Sequence, residues 1–273
     1  MVYRLFCFIL FISIARPVYS QANPEKWLQV SLGPSLLNRQ DLIFSPFVHT
    51  NLSLLNGGLE FHKRKNGHQF LRLQYNGFTA GLKTPYDYQL DGETHTAFPH
   101  SFTFVQLGYG RGWFIGKKDK DKTVLGLSLL MDVQAMNYEY GRFSFFGYYS
   151  TTALGAWYQH SLRHTEKSKV SAMVNLPLVS WMARSPYLIN DDEFIENTFS
   201  HNGLATFFDY LEDGHLATWN EWQSVEISLQ YQYDISQNWS LGAGWKFSFI
   251  HAALPKDLYS VQNNLSVVAL LKL

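Results

Sequence analysis

The chain has 273 residues, of which 16% are charged and 16% are aromatic. Its 22 Lys and Arg residues balance its 22 Asp and Glu residues, so no excess of positive charge points to nucleic acid, and we expect no nucleic-acid partner. Its single cysteine, Cys7, leaves the remaining chain without a disulfide, a thiol nucleophile or a thiolate metal site.

The first twenty residues have the pattern of an export signal. Arg4 supplies a positive start, residues 5–15 are almost unbroken apolar sequence, and small residues near Ser20 offer a cleavage site. The apolar run is too short to span a bilayer comfortably, which disfavours the alternative of an uncleaved anchor. We predict a signal peptide over residues 1–20 and a single domain over residues 21–273.

Ten later segments alternate apolar and polar residues, the pattern of strands with one apolar and one polar face. No segment after residue 20 approaches about eighteen consecutive apolar residues, so strands must form any membrane span, and the sheet must then close. The predicted strands cover residues 26–36, 48–63, 68–83, 101–115, 122–138, 142–162, 168–184, 221–236, 238–252 and 259–273.

The alternation is strict in the eighth predicted strand. Its polar positions alternate with large apolar residues, which we expect to face lipid: Val225, Ile227, Leu229, Tyr231, Tyr233 and Ile235.

Three positions conflict with regular strands. Pro34 and Pro177 would each remove a hydrogen-bond donor. Arg111 falls on the expected lipid face, which either a β-bulge or a position at the bilayer rim would explain. Glycines around it, in residues 108–112, are expected to let the strand curve or to make room for large inward side chains.

The connections between predicted strands sort by length. The second, fourth, sixth and eighth are brief and polar, whereas the odd-numbered ones include long loops over residues 84–100 and 186–220. Short turns at one end and longer loops at the other are typical of outer-membrane barrels. We predict an all-β, antiparallel, up-and-down transmembrane barrel of about ten strands, with a short helix in a long extracellular loop.

The leader, the alternating strands, the tight turns and the last strand resemble those of small outer-membrane β-barrel proteins of Gram-negative bacteria. The strands rich in tyrosine and asparagine are similar to those of Bacteroidota. The last strand ends at Leu273, where that family prefers Phe or Trp as its assembly signal. The resemblance implies an outer-membrane location, periplasmic turns, external loops, and outer-membrane lipid and lipopolysaccharide as partners.

Polar residues on the faces opposite the apolar ones are expected to line the lumen. Since they carry both charge signs, they can pair across a narrow interior and fill it, which we favour over a conducting pore. The predicted lumen-facing residues are Glu60, Arg72, Gln74, Asp132, Gln134, Glu226, Gln230 and Lys246.

The loop over residues 186–220 is acidic and contains a predicted amphipathic helix over residues 203–213. Its apolar stripe either folds back over the barrel mouth or docks a partner protein in an outer-membrane complex. The stripe consists of Leu204, Phe207, Phe208 and Leu211.

Catalytic chemistry has weak support in this sequence. Asp213 and His215 resemble the Asp-x-His half of an omptin protease, but Asp87 and Asp91 are not the close acidic pair of its other half. We therefore expect no enzyme, cofactor or metal. The favoured hypothesis is a structural or accessory, partner-docking subunit of an outer-membrane assembly; the alternatives are a narrow channel for small solutes and, ranked lower, an omptin-like surface protease.

Overall fold

The computed structural model describes residues 25–115, 122–140, 143–185, 189–190 and 211–273, so the predicted signal peptide lies outside the described residues. Within the described ranges, ten long antiparallel strands pair in chain order and the last pairs with the first, so the sheet closes as a barrel. The prediction of an all-β, up-and-down, ten-stranded barrel is confirmed. The strands are β1 (Glu25–Asp41), β2 (Ser45–Arg64), β3 (His68–Leu82), β4 (His100–Ile115), β5 (Lys122–Tyr140), β6 (Phe143–Arg163), β7 (Ser168–Arg184), β8 (Trp222–Asp234), β9 (Trp239–Ala252) and β10 (Leu258–Lys272).

The two prolines are accommodated by irregular pairing. Pro34 lies where the register between β1 and β2 shifts, and β1 continues to Asp41, beyond its predicted end at residue 36. Pro177 lies beside a register shift between β6 and β7. Beyond it, β7 pairs with a short strand, His215–Thr218, rather than with β8. A missing donor is tolerated at such positions because the hydrogen-bond ladder is already interrupted there.

Arg111 lies in a regular part of the sheet. It is opposite Gln69 on β3 and Leu127 on β5, and neither pairing shifts register nearby, so the β-bulge alternative is wrong. Its strand neighbours Gly110 and Gly112 face the rings of Phe70 and Trp157 inside the barrel, which puts the Arg111 side chain on the outer face.

The barrel reverses the usual distribution of apolar and polar residues in a soluble protein. Leu54, Leu127 and Val267 on the outer face are between 63% and 69% exposed, whereas Arg72 and Glu226 inside are at most 4% exposed. Large apolar residues recur outward along every strand, with polar partners inward. In the described part of the chain, no helix is long and apolar enough to cross a bilayer.

The connections divide the barrel into two unlike ends. We call one the tight-turn end, where residues 65–67, 164–167 and 235–238 join strands. At the other, the long-loop end, residues 83–99 contain a hairpin of strands Asp87–Leu90 and Glu93–Thr96. Asp91 and Gly92 make its turn with positive φ angles of 54° and 82°, which suits a two-residue hairpin loop.

The long loop after β7 is described only in part. Ile189–Asn190 pairs with β6, and His215–Thr218 pairs with β7. Of the predicted helix over residues 203–213, the structure describes Leu211 and Glu212, which are helical, and Asp213, which forms a turn. The other predicted docking residues, Leu204, Phe207 and Phe208, lie outside the described residues.

Candidate functional site: the lumen and the barrel ends

A network of charged and amide side chains crosses the middle of the lumen. Arg72 Nη2 on β3 donates to Glu226 Oε2 on β8 over 2.7 Å. Lys246 Nζ on β9 lies 3.0 Å from the other carboxylate oxygen, Oε1. The amide of Gln106 donates to that same oxygen over 2.6 Å, and Lys246 also donates to the Oε1 atoms of Gln74 and Gln106 over 2.8 Å. Since β3 and β8 are five strands apart in a ring of ten, the network joins opposite walls.

Toward the tight-turn end, an acid and two histidines form a chain. Glu60 Oε2 lies 3.0 Å from Nε2 of His62, and Nδ1 of His62 lies 3.0 Å from Nε2 of His68. If His62 donates to Glu60, a neutral His62 ring accepts the proton of His68 at Nδ1. Trp27 stacks on His62 with ring centroids 4.8 Å apart, and the edge of Trp157 packs against His68 at 5.6 Å.

Toward the long-loop end, a second polar chain runs along the wall. Gln134 donates to Asp132 over 2.9 Å and accepts from Arg39 over 2.6 Å. Asp41 pairs with Arg39 at 3.2 Å and with Arg184 at 2.6 Å. Two arginines share the buried carboxylate of Asp41, and Arg39 also lies over the rings of Phe102 and Phe104. Side chains from several strands therefore hold this polar chain in place.

An apolar layer fills the lumen near the long-loop end. Phe102 and Tyr138 pack with ring centroids 5.5 Å apart, and Trp222 Nε1 donates to the hydroxyl of Tyr149 over 2.7 Å. All four side chains are buried. Leu37, Phe78, Met136, Met182 and Leu258 belong to the same cluster.

The space left inside the barrel is small. Two cavities of about 110 Å³ and about 40 Å³ lie in the lumen, and Gln74, Asn76 and Lys246 border both of them. Binding pockets for small organic ligands typically hold roughly 300–1,000 Å³. The larger cavity is lined by buried polar atoms such as Arg72 Nε and His68 Nδ1, a lining suited to water.

Glycines on β4 make room for large inward side chains. A Cβ atom added to Gly110 would lie 2.2 Å from Phe70, and one added to Gly112 would lie 2.7 Å from Trp157. At Gly108 it would lie 3.0 Å from Leu130 and 3.5 Å from Arg72. Of the two roles expected for these glycines, making room is therefore the one that their neighbours bear out.

All eight residues predicted to line the lumen lie on the inner face. Arg72, Glu226, Gln74 and Lys246 meet in the central network, and Gln134 and Asp132 meet in the second chain. Glu60 joins His62, and Gln230 donates to Gln29 over 3.0 Å. Further buried polar residues were not predicted: Arg39, Asp41, His68 and Arg184 belong to these chains, and Asn175 accepts from Ser128.

The omptin-like residues do not form a connected site in the described structure. His215 Nε2 lies 3.7 Å from Glu221 Oε2, and both side chains are nearly half exposed. On the hairpin, Asp87 accepts from Thr96 over 2.6 Å. Among the described residues, neither Asp87 nor Asp91 has a hydrogen bond or ion pair with Asp213 or His215. Nor does any group of three or more His, Cys, Asp or Glu within those ranges have metal-binding geometry.

The end of the long loop is fastened to the barrel mouth. Leu211 packs against the buried pair Tyr148 and Ala183, and the indole of Trp181 donates to its backbone carbonyl over 2.8 Å. Trp219 donates in the same way to the carbonyl of Pro177 over 2.8 Å. Leu211 thus folds back on the barrel, one of the two alternatives for the apolar stripe.

No protein-family model and no curated protein sequence matches the chain. Solved structures do match. The outer membrane protease OmpT from Escherichia coli has a TM-score of 0.56 at 4% identity, covering 93% of this chain and 99% of that one. Neisserial surface protein A has a TM-score of 0.38 at 8% identity, covering 92% and 100% of the two chains. The Pseudomonas putida toluene transporter TodX has a TM-score of 0.36 at 8% identity, covering 93% and 90%. Identities this low carry no activity across, and the likeness to OmpT shows that the chain has the closed, ten-stranded antiparallel fold of an outer-membrane barrel.

Proposed function

We propose that this protein is an outer-membrane barrel with a closed lumen that acts as an accessory subunit, docking a partner protein at its long-loop end. The observation that carries the proposal is the buried contact of Arg72 and Lys246 with Glu226 across the lumen. A solute would have to separate these charges, and an unpaired buried charge is costly. The barrel therefore works through its surfaces.

The outer face supports residence in a membrane. Its exposed leucines and aromatic residues would be unfavourable in water over so large an area, whereas lipid accepts them. By analogy with such barrels, the tight-turn end faces the periplasm and the long-loop end faces outward, beside lipopolysaccharide.

The long-loop end supports the docking role. It combines exposed apolar side chains with acids that outnumber its two described exposed lysines, Lys83 and Lys256, a composition that fits a partner whose contact surface is apolar with a basic rim. We call this the loop-end surface; its described apolar members are Phe47, Tyr86, Phe98, Leu216, Trp219 and Leu254, and its acids are Asp87, Asp91, Glu93, Glu212, Asp213, Glu221 and Asp257.

A pull-down from native outer membranes after mild detergent extraction tests the docking role. Phe47 and Tyr86 have ring centroids 5.7 Å apart and are each about half exposed. We expect the tagged wild-type protein to retain a stoichiometric partner, and the double variant Phe47→Ala and Tyr86→Ala to lose it. A matched variant at the tight-turn end, Lys65→Ala and Lys167→Ala, should retain it. If the wild-type protein retains no stoichiometric partner, the docking role is wrong.

A narrow channel is the second candidate, and one observation favours it. The two lumen cavities share Gln74, Asn76 and Lys246 in their linings, so rotamer changes at these residues could join them. In planar bilayers we expect no conductance steps from the wild-type protein. The triple variant Arg72→Ala, Glu226→Ala and Lys246→Ala should open steps. Regular steps from the wild-type protein would establish the channel instead.

A further inference from the structure

Four neighbouring strands place polar side chains in one lateral row on the outer face near the tight-turn end. Lys26 on β1 is directly opposite Lys63 on β2, Lys63 is opposite Gln69 on β3, and Gln69 is opposite Arg111 on β4. Directly opposed residues in a sheet have Cα atoms about 4.5–5.5 Å apart. We call these four residues the basic row.

The strand neighbours of the basic row fix its outward direction. Trp27 stacks on His62 inside the barrel, so Lys26 and Lys63, the next residues along their strands, point out. Both lysines are exposed, and Gln69 and Arg111 are partly exposed. All four side chains of the basic row are therefore accessible to a ligand from outside the barrel.

The three cations of the basic row have no acidic side chain beside them on the outer face of β1 to β4. Within the described residues, none of Lys26, Lys63 and Arg111 forms an ion pair, and the outward positions of β1 to β4 carry no Asp or Glu. Like charges directly opposite each other destabilise a sheet. The opposed Lys26 and Lys63 therefore make this part of the outer face favourable for an anionic ligand.

The next two rows of the outer face are apolar. The row adjacent to the cations consists of Leu28, Phe61, Leu71 and Tyr109, and the row after it of Val30, Leu59, Leu73 and Leu107. On β4, Trp113 and Ile115 are exposed beyond Arg111. The cations therefore border a surface suited to acyl chains, the arrangement in which Lys and Arg extend toward headgroups.

We propose that the basic row binds the phosphate of an anionic glycerophospholipid, whose acyl chains lie along the two apolar rows. The guanidinium of Arg111 offers paired donors to phosphate oxygens, the two lysines offer ammonium groups, and the Gln69 amide offers a neutral donor between them. This lipid site goes beyond the docking role, because it lies at the opposite end of the barrel and needs only that the barrel is in a membrane.

Lipid retention by the purified full-length protein tests the site. Native mass spectrometry in detergent, with phosphatidylglycerol, phosphatidylcholine or lipid A added, compares the wild-type protein with the variant Lys26→Gln, Lys63→Gln and Arg111→Gln. We expect phosphatidylglycerol to bind in preference to the other two. The triple variant should weaken its binding by roughly fivefold for each cation removed.

Two further variants keep the result interpretable. Lys83→Gln with Lys256→Gln removes exposed lysines at the long-loop end and should leave binding unchanged. The single charge reversal Lys63→Glu, at an exposed position, should weaken binding even if the triple variant fails to fold. Preferential binding of lipid A, equal binding of phosphatidylcholine, or full retention of phosphatidylglycerol by Lys63→Glu would each overturn the proposal.

Discussion

Arg72 and Glu226 are paired across the lumen although 154 residues separate them in the chain. Their charged atoms are 2.7 Å apart, and both side chains are at most 4% exposed. Glu226 also pairs with Lys246 at 3.0 Å, so a single carboxylate contacts two inward cations that are costly to bury without a counter-ion. We therefore expect the closure of the lumen and the stability of the barrel to depend on the same residue.

Glu226→Ala is predicted to lower the free energy of unfolding by about 3–5 kcal/mol, because Arg72 and Lys246 would stay buried without their counter-ion. Urea unfolding of the protein in lipid vesicles, followed by tryptophan fluorescence, measures this change.

Two comparisons sharpen this test. Glu221→Ala removes a half-exposed acid and should cost less than about 1 kcal/mol. The double variant Arg72→Met and Glu226→Met removes both partners of one ion pair. It should lower the free energy of unfolding by less than Glu226→Ala alone. Equal losses for Glu221→Ala and Glu226→Ala would contradict a central role of the network.

The barrel walls were predictable from sequence because a strand between lipid and a polar lumen must alternate with a period of two. Val225, Leu229 and Tyr231 on β8 face outward as the alternation requires, and β7 has its predicted bounds, Ser168–Arg184. The same alternation also predicted which individual residues face the lumen.

The pairing of residues across the lumen was not predictable in the same way. Which inward residue meets which depends on the stagger of the closed sheet, which local sequence does not state. Arg39 and Asp41 were not predicted because the first predicted strand stops at residue 36, just after Pro34. In the structure β1 continues to Asp41, and the spacing of two between Arg39 and Asp41 keeps both on the inner face. Arg184 was missed because its partners are mainly backbone carbonyls on β9 and in the following loop.

Gly110→Ala is predicted to destabilise the barrel by about 1–3 kcal/mol through overpacking. The new Cβ would lie 2.2 Å from a ring carbon of Phe70, whose ring is itself packed against Trp157 at 5.3 Å. Thermal unfolding in detergent, read as the shift of the folded band on a gel, measures the loss.

The chain contains a matched control for Gly110→Ala. A Cβ added to Gly81, on β3, has no atom within 4 Å, so Gly81→Ala should leave stability almost unchanged. Phe70→Leu should partly rescue Gly110→Ala by vacating the ring volume. If Gly110→Ala were as stable as Gly81→Ala, the space argument for the β4 glycines would be wrong.

Arg184→Ala is predicted to release the loop between β9 and β10. Arg184 Nη1 donates to the carbonyl of Leu254 over 2.8 Å, and Nη2 donates to Asp41 over 2.6 Å. Without these bonds, amide hydrogen exchange in residues 253–257 should accelerate by more than about tenfold, because local opening loses its fastening. The centre of β9 should exchange as before.

Arg184→Lys separates charge from geometry. A lysine keeps the positive charge but cannot bind carbonyls and a carboxylate in two directions at once, so it should rescue exchange only in part. Lys256→Ala, which removes an exposed side chain from the same loop, serves as the control. Unchanged exchange in Arg184→Ala would show that other contacts hold the loop.

His215→Ala and Asp213→Asn are predicted to have no effect on peptide cleavage. A general base needs a positioned partner within about 2.6–3.2 Å, but the acid that pairs with His215 within the described ranges is Glu221 at 3.7 Å, with both groups nearly half exposed. We therefore expect the purified protein, assayed in lipopolysaccharide with a fluorogenic peptide library, to cleave no faster than a heat-denatured sample. Each variant should match the wild type within about twofold, a difference below what general acid–base catalysis typically contributes. Cleavage by the wild-type protein that either variant abolishes would establish the omptin-like alternative, because loss on removing one solvent-exposed side chain cannot come from a collapsed barrel.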